Sequence, residues 1–327
     1  MNKKYFFALF FLFSFSAAQA KLIQYHLNIN SKTVNFTGQD VKALGINNQI
    51  PAPTVEATVG DTLEITVTNH LDEESSIHWH GVLLPNDQDG VPYLTTQPIK
   101  AHTSFTYRFK VKHSGTYWYH SHSGLQEQQG IYGSIIFHPK GGERFISHKD
   151  HVVVMSDWTD EHPDHVLANL KKDGDWYALK KDTVQSWYGV LSNGIEGLKN
   201  RLNSSWTRMG PMDLSDVAYD AFLVNGKRES YLKAQPGDIV RLRLINAGAS
   251  TYFNVEFAGA PMIVVATDGV NIDPLKVKRL RMAVAETYDV LIKIPDGNSY
   301  ELRTSSEDGT GYASLFIGQD PQNGVRI

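Results

Sequence analysis

The sequence predicts an all-β protein built from two β-sandwiches with a helical insertion between them. Short runs in which every second residue is apolar alternate with turns rich in Gly, Pro and Asn, a pattern typical of antiparallel sandwiches. One such run recurs in the second half of the chain, and a stretch with helical periodicity separates the two copies. With 327 residues, 41% of them apolar, the chain is long enough for two domains that each bury a core.

The first 20 residues predict a secretory signal peptide. Two lysines precede an apolar run over residues 5–15, and a small-x-small cleavage site ends at Ala20. The run is shorter than the roughly 20 residues that a helix needs to span a bilayer, so a membrane anchor is the less favoured interpretation. We therefore expect an exported protein without a membrane segment. Because the chain contains no cysteine, its domains must fold without disulfides.

Residues 21–140 form the first predicted sandwich. Residues 62–69, TLEITVTN, and residues 104–111, SFTYRFKV, each place apolar side chains on one face and polar side chains on the other. The unit closes near Pro139, where the sequence PKGGE indicates a linker. A net charge of −4 and the lack of a long basic run make nucleic acid an unexpected partner.

A repeat predicts the second sandwich, over residues 148–320. The segment VGDTLEITVTN, which ends at Asn69, resembles PGDIVRLRLIN, which ends at Asn246. Upstream, Asn48 and Asn225 precede the glycines of these segments by the same spacing, and downstream the tripeptide Asp-Gly-Val recurs. Several matches in the same order indicate two copies of one fold.

The helical insertion is expected at about residues 160–216. Pro163 stands where a first helical turn begins, and Val166, Leu167 and Leu170 follow at helical spacing. Residues 184–202 continue the pattern, so we expect the insertion to pack against the second sandwich.

Two pairs of histidines carry the chemical signal of the first sandwich. His78 and His80 lie in IHWHG, and His120 and His122 lie in YWYHSHSG. In a strand, residues i and i+2 point to the same face about 6.6–6.8 Å apart, so each pair shares a face. If the two strands are neighbours, four imidazoles converge. Imidazole suits copper, zinc, iron and nickel, and copper binds most tightly among the divalent ions.

Chance is the alternative, since a chain with 13 histidines can contain one His-x-His by accident. Two such pairs in one sandwich, both flanked by aromatic residues and followed by glycine, favour metal binding. Each ligand also needs its second ring nitrogen fixed by a hydrogen bond, for which backbone carbonyls are the expected acceptors. The second sandwich is expected to hold no metal, because the chain contains no histidine after His165.

For other polar residues, the sequence gives weaker evidence of a role in metal binding or catalysis. The pairs His148/His151 and His162/His165 are interpreted as loop histidines. Asp89, in the turn NDQDGVP, leaves two alternatives open: an ordinary turn residue before glycine, or a carboxylate that relays protons near the metal.

These motifs resemble those of the multicopper oxidases, and within them those of the periplasmic copper-resistance type. SIHWHGVLLPNDQDGVP and SGTYWYHSHSGLQEQQGIYG resemble the first two copper motifs of the family, and AETYDV resembles that subtype. The resemblance implies two cupredoxin-like Greek-key sandwiches and a periplasmic location. It implies that His78 binds the type 2 copper and that His80, His120 and His122 bind the type 3 pair. Asp89 matches the acidic residue that delivers protons there.

The family has three sandwiches, and this chain ends about where the third would begin. The His-Cys-His motif, whose cysteine binds the type 1 copper, and half of the cluster histidines are not found in it. The chain alone is therefore not expected to act as an oxidase. Three hypotheses follow: an oxidase of Cu(I) or phenols that reduces dioxygen when a partner chain supplies the third domain, a copper-buffering protein, or an inactive truncated remnant.

Overall fold

The computed structural model describes residues 20–172, 176–181, 186–206, 217–319 and 324–327. The predicted signal peptide, except for Ala20, lies outside the described residues. The strands that follow form a first sandwich: β1 (Leu22–Val34), β2 (Val41–Ile46), β3 (Ala52–Thr58), β4 (Thr62–Asn69), β5 (His78–His80), β6 (Ser104–Lys110), β7 (Gly115–His120) and β8 (Tyr132–His138).

The remaining elements belong to a second sandwich and to the insertion. The strands are β9 (Lys149–Trp158), β10 (Ala221–Val224), β11 (Glu229–Lys233), β12 (Ile239–Asn246), β13 (Phe253–Phe257), β14 (Met262–Thr267), β15 (Val270–Val277), β16 (Arg279–Met282), β17 (Thr287–Lys293), β18 (Ser299–Ser306), β19 (Tyr312–Gly318) and β20 (Gly324–Val325). The helices are α1 (Pro163–Leu170), α2 (Trp176–Lys180), α3 (Trp187–Ser192) and α4 (Gly194–Trp206).

In the first sandwich, the sheet β2-β1-β4-β6 faces the sheet β3-β8-β7-β5. Strand β4 matches the alternation read from the sequence, with Leu63, Ile65 and Val67 fully buried. The antiparallel pairing expected from the sequence holds for most strand pairs of this sandwich, but β1 pairs with β4, and β3 with β8, in parallel. The chain crosses to the opposite sheet between such strands and returns in the same direction. Apolar alternation reports which face is buried and carries no information on that direction.

The second sandwich repeats this plan, with sheets β10-β9-β12-β17-β14-β15 and β11-β19-β18-β13-β16. Asn69 and Asn246, at the ends of β4 and β12, are fully buried, and each donates from its side-chain amide to three backbone carbonyls. The equivalent of Asn225 is Asn47 and not Asn48. Both Asn47 and Asn225 accept through their side chains from a backbone N–H of the first strand of their sandwich.

The insertion lies between β9 and β10 and contains the four helices. Helix α1 covers the predicted residues, and His162 caps it by accepting from the backbone N–H of Asp164. Val166 packs in a small cluster with Tyr177, which Leu125 of the first sandwich also contacts. Besides the expected second sandwich, the insertion thus also contacts the first.

A buried polar network joins the two sandwiches at β7. Thr116 in β7 donates to Oδ1 of Asp289 in β17 (2.6 Å), and Oδ2 of Asp289 accepts from Arg241 (2.9 Å) and Arg243 (3.2 Å). The two arginine side chains are 0% and 1% exposed. Arg243 also binds both carboxylate oxygens of Asp150 at 2.7 Å. The second sandwich therefore fixes the strand that ends at His120.

Candidate metal centre

Strands β5 and β7 pair in antiparallel fashion, which brings the two histidine pairs together. His78 lies directly opposite His120 in the register, and His80 lies opposite Trp118. The ring centroids of His78 and His120 are 5.6 Å apart, and those of His80 and His120 are 5.4 Å apart. His122 is 4.8 Å from His120 and 5.0 Å from His78, measured in the same way. All four rings thus share one pocket, as expected for neighbouring strands.

The pleat of both strands sets the face on which the imidazoles lie. Trp79, between the first two histidines, is 1% exposed and packs in the core against Tyr107 and Tyr119. Burying these aromatic rings fixes β5 and β7 to the sandwich, so the alternate side chains must point the other way. The expected inward orientation of Trp79 is confirmed.

Nδ1 of His80 lies 3.2 Å from Nε2 of His120, within hydrogen-bonding distance. The ligand atoms of His78, His80 and His120 all lie within 4.8 Å of one another. His122 follows the end of β7 and is the exposed member of the four histidines, although its ring lies beside those of His78 and His120. Its backbone N–H donates to Oγ of Ser76, which ties the segment to the approach of β5.

The second ring nitrogens of two ligands are fixed by different acceptors. Nδ1 of His78 donates to the backbone carbonyl of Asp89 at 2.9 Å, which confirms the expected kind of acceptor for this ligand. Nδ1 of His120 lies 2.7 Å from the Glu127 carboxylate and 3.2 Å from the carbonyl of Ser121. Sequence reasoning did not find Glu127, because it follows His120 by seven residues in an irregular segment without periodicity.

Burial favours the neutral form of three imidazoles of the pocket, those of His78, His80 and His122. Burial, together with the neighbouring rings of His120, His78 and His122, lowers the pKa of His80 to about 4. Burial lowers the pKa of His78, although its hydrogen bond to Asp89 opposes this, and burial followed by the charges of His120 and His78 lowers that of His122. Their lone pairs are therefore available at neutral pH, and neutral imidazole nitrogen is a donor that suits copper.

Asp89 lies beside the pocket in two ways. Its carbonyl accepts from His78, and Oδ1 of its carboxylate is 3.5 Å from the same Nδ1 atom. The turn is held by Gly90, whose N–H donates to Oγ1 of Thr96. A relay role for Asp89 stays a prediction.

The other histidine pairs lie elsewhere. His162 and His165 are exposed at the start of α1, with ring centroids 5.7 Å apart. His151 is not a loop residue, because it belongs to β9, where burial lowers its pKa. Strand β9 pairs with β12, and the His-x-x-His spacing gives no information about that pairing.

Comparisons with known proteins agree on one family. Sequence models described as multicopper oxidase match residues 28–142 and residues 149–319. The chain is 44% identical to copper resistance protein A of Escherichia coli over 306 residues, which cover 91% of this chain and 50% of that protein. It is 42% identical over 299 residues to a copper resistance protein A homolog of Pseudomonas syringae pv. tomato, covering 89% and 50%. The chain spans about half the length of the curated relatives it matches.

Solved structures agree on the fold. The multicopper oxidase Fet3p, described as functioning in iron import, aligns with a TM-score of 0.72 at 20% identity and covers 92% of this chain and 53% of that one. A blue copper oxidase from Nitrosomonas europaea aligns with a TM-score of 0.68 at 24% identity, covering 91% and 86%. Within the residues that the structure describes, no helix is long and apolar enough to cross a bilayer.

Proposed function

The chain belongs to the multicopper oxidase family, and from this we propose that it is a periplasmic copper-resistance protein that binds copper through His78, His80, His120 and His122. The observation that carries the proposal is the 3.2 Å approach of two ring nitrogens from paired strands, one from His80 and one from His120. Neutral nitrogens at that separation repel as lone pairs unless a proton or a metal ion lies between them.

Copper, when bound, supplies one-electron redox chemistry toward dioxygen. The residues of this chain supply the environment. Strand pairing orients the rings, the carbonyl of Asp89 fixes the tautomer of His78, and burial keeps the lone pair of His80 free of protons. By position in the motifs, we assign His78 to a type 2 copper and the other three to a type 3 pair, with Asp89 as the residue that relays protons to them.

Turnover as an oxidase requires ligands beyond these four. We propose that the chain oxidises Cu(I) or phenols, with reduction of dioxygen to water, only together with a sequence that provides the His-Cys-His motif. What favours this role is the identity above 40% to two copper resistance proteins over half of their length. The alternatives are a protein that buffers periplasmic copper without turnover and an inactive remnant.

Titration of the metal-free chain with Cu(II) tests the binding proposal. His78→Ala and His120→Ala each remove a ligand, and we expect each to weaken Cu(II) binding at least about tenfold, which corresponds to about 1.4 kcal/mol. His162→Ala removes an exposed imidazole outside the pocket and serves as the matched control. Binding that is unchanged in the two pocket variants, or weakened equally in the control, would contradict the proposal.

Complementation separates the enzymatic role from buffering. A second chain that carries the half of copper resistance protein A of Escherichia coli which this chain does not cover is mixed with the copper-loaded protein, and dioxygen uptake is followed with Cu(I) as the substrate. We expect uptake only in the mixture and none with His120→Ala. If the mixture consumes no dioxygen while the chain binds copper, the buffering role is favoured, and a chain that aggregates without binding copper is a remnant.

A further inference from the structure

The Glu127 carboxylate contacts a ligand of the proposed copper pocket from outside that pocket. We propose that Glu127 is a positioning residue that acts through His120 to strengthen copper binding, an inference that rests on the function proposed above. Oε2 of Glu127 lies 2.7 Å from Nδ1 of His120, closer than any other acceptor of that ring. The His120 side chain is 6% exposed and that of Glu127 is 25% exposed.

The contact determines which nitrogen of His120 faces the pocket. The N–H group at Nδ1 of His120 donates a hydrogen bond to the carboxylate of Glu127. In this tautomer Nε2 has no proton, and its lone pair points at Nδ1 of His80. The stacking of His120 on Trp118, at 4.1 Å between centroids and 9° between planes, holds the ring plane. A carboxylate that accepts from the distal nitrogen of a ligand also makes the ligand a stronger donor to a metal ion.

The segment that carries Glu127 is fastened to both histidine strands. Gln126 accepts through Oε1 from the hydroxyls of Ser75, which precedes β5, and Ser121, which follows β7. Its amide nitrogen donates to the carbonyl of Glu74. Gln126 is itself only 3% exposed. The carboxylate next to it is thus placed by a buried network and not by a free surface loop.

The two fixed ligands of the pocket differ in the charge of their acceptors. His78 donates to a neutral carbonyl and His120 to a carboxylate. Hydrogen bonds with an ionised partner are roughly twice as strong as neutral ones. Replacing the carboxylate by an amide therefore keeps the geometry and removes about half of the effect, whereas alanine removes all of it.

Cu(II) affinity and the electron paramagnetic resonance spectrum of the Cu(II)-loaded chain test the inference. Loss of such a partner costs about 10- to 100-fold in metal affinity, so we expect this range for Glu127→Ala. For Glu127→Gln we expect about a 3- to 10-fold loss and an altered copper hyperfine splitting, with the thermal unfolding midpoint of the wild type. Glu64→Gln is the matched control, since the Glu64 side chain in β4 is 24% exposed and pairs with Arg108 of β6 and not with a histidine of the pocket.

Glu127→Gln decides the outcome, because it preserves shape even if Glu127→Ala fails to fold. Affinity and spectrum equal to those of the wild type and of Glu64→Gln would overturn the positioning role. That result is distinct from failure of the proposed function, in which the wild-type chain itself binds no Cu(II) at the pocket.

Discussion

The turn at Gly90 is the feature that brings the Asp89 carbonyl onto His78, and its replacement gives a sharp prediction. Gly90 has φ +83°, and a Cβ atom built there would lie 1.7 Å from the carbonyl oxygen of Ile77 and 2.6 Å from its carbonyl carbon. Ordinary van der Waals contact begins at 3.4 Å. Gly90→Ala therefore forces the turn to move by about 1.7 Å, because the fully buried Ile77 that leads into β5 cannot give way.

The free-energy cost has two separate parts. A left-handed conformation costs an alanine about 1–2 kcal/mol. Displacing the turn also lengthens the hydrogen bond from His78 to Asp89, now 2.9 Å, beyond its useful range, at a cost of about 1–1.5 kcal/mol. We expect Gly90→Ala to lower the free energy of unfolding by about 2–3.5 kcal/mol in total. Cu(II) affinity should fall about tenfold, since the tautomer of His78 is no longer fixed.

Urea unfolding of the metal-free chain measures the loss of stability, and Cu(II) titration measures the loss of affinity. Gly142→Ala is the matched control, because Gly142 has φ +84° and a Cβ atom there would meet nothing within 4 Å. The control should cost only the backbone part and leave Cu(II) affinity unchanged. If Gly90→Ala loses no more stability than Gly142→Ala and binds Cu(II) like the wild type, the account of this turn is refuted.

Two further predictions concern the buried polar network of Thr116, Asp289, Arg241 and Arg243 between the sandwiches, and the effect of pH. Asp289→Ala removes one of the three carboxylates that pair with the buried Arg241 and Arg243, and Asp150 and Glu143 remain as their partners. Urea unfolding should show a loss of about 1.5–3 kcal/mol, against about 1 kcal/mol for Thr116→Val; equal losses would contradict the network. Since the pKa of His80 is lowered to about 4 in the folded chain, the unfolded chain takes up this proton first as pH falls below about 6.5. Stability of the metal-free chain is thus fully present above pH 6.5 and should fall by on the order of 1 kcal/mol by pH 5, and a His80→Gln variant with an unchanged slope would contradict this.

The parts of the fold that depend on local pattern were predictable from the sequence. The alternation in β4 and the orientation of Trp79 follow from the period of two that every strand obeys. The first turn of α1 was visible because proline at Pro163 and apolar residues at helical spacing are local signals. The grouping of the histidine rings followed once β5 and β7 were taken as neighbours.

Contacts between segments distant in sequence were not predictable. The parallel pairs β1–β4 and β3–β8 depend on how the chain crosses between sheets, which no single strand records. The sequence spacing pointed to Asn48 as the equivalent of Asn225, whereas the hydrogen bonds identify Asn47. Spacing along the chain does not reveal a one-residue difference in loop length. Glu127 reaches His120 through an irregular segment, so only its folded position identifies it.

The contact between Asp289 and Thr116 also joins segments distant in sequence, so it was not predictable. Asp289 stood out in the sequence only as part of the motif AETYDV, with no indication of what it binds. Its partner Thr116 lies 173 positions away, in the strand that ends at His120. The aspartate of this motif thus has a structural role, because its contact with Thr116 holds β7 against the second sandwich.

The central claim is that imidazoles from β5 and β7 share one metal ion, and electron spin echo envelope modulation of the Cu(II)-loaded chain tests it most directly. With one equivalent of Cu(II), the modulation from remote imidazole nitrogens should report at least two coordinated rings. The double variant His80→Ala/His120→Ala should lose them. Modulation from one ring or none in the wild type, or the same signal in the double variant, would contradict the claim.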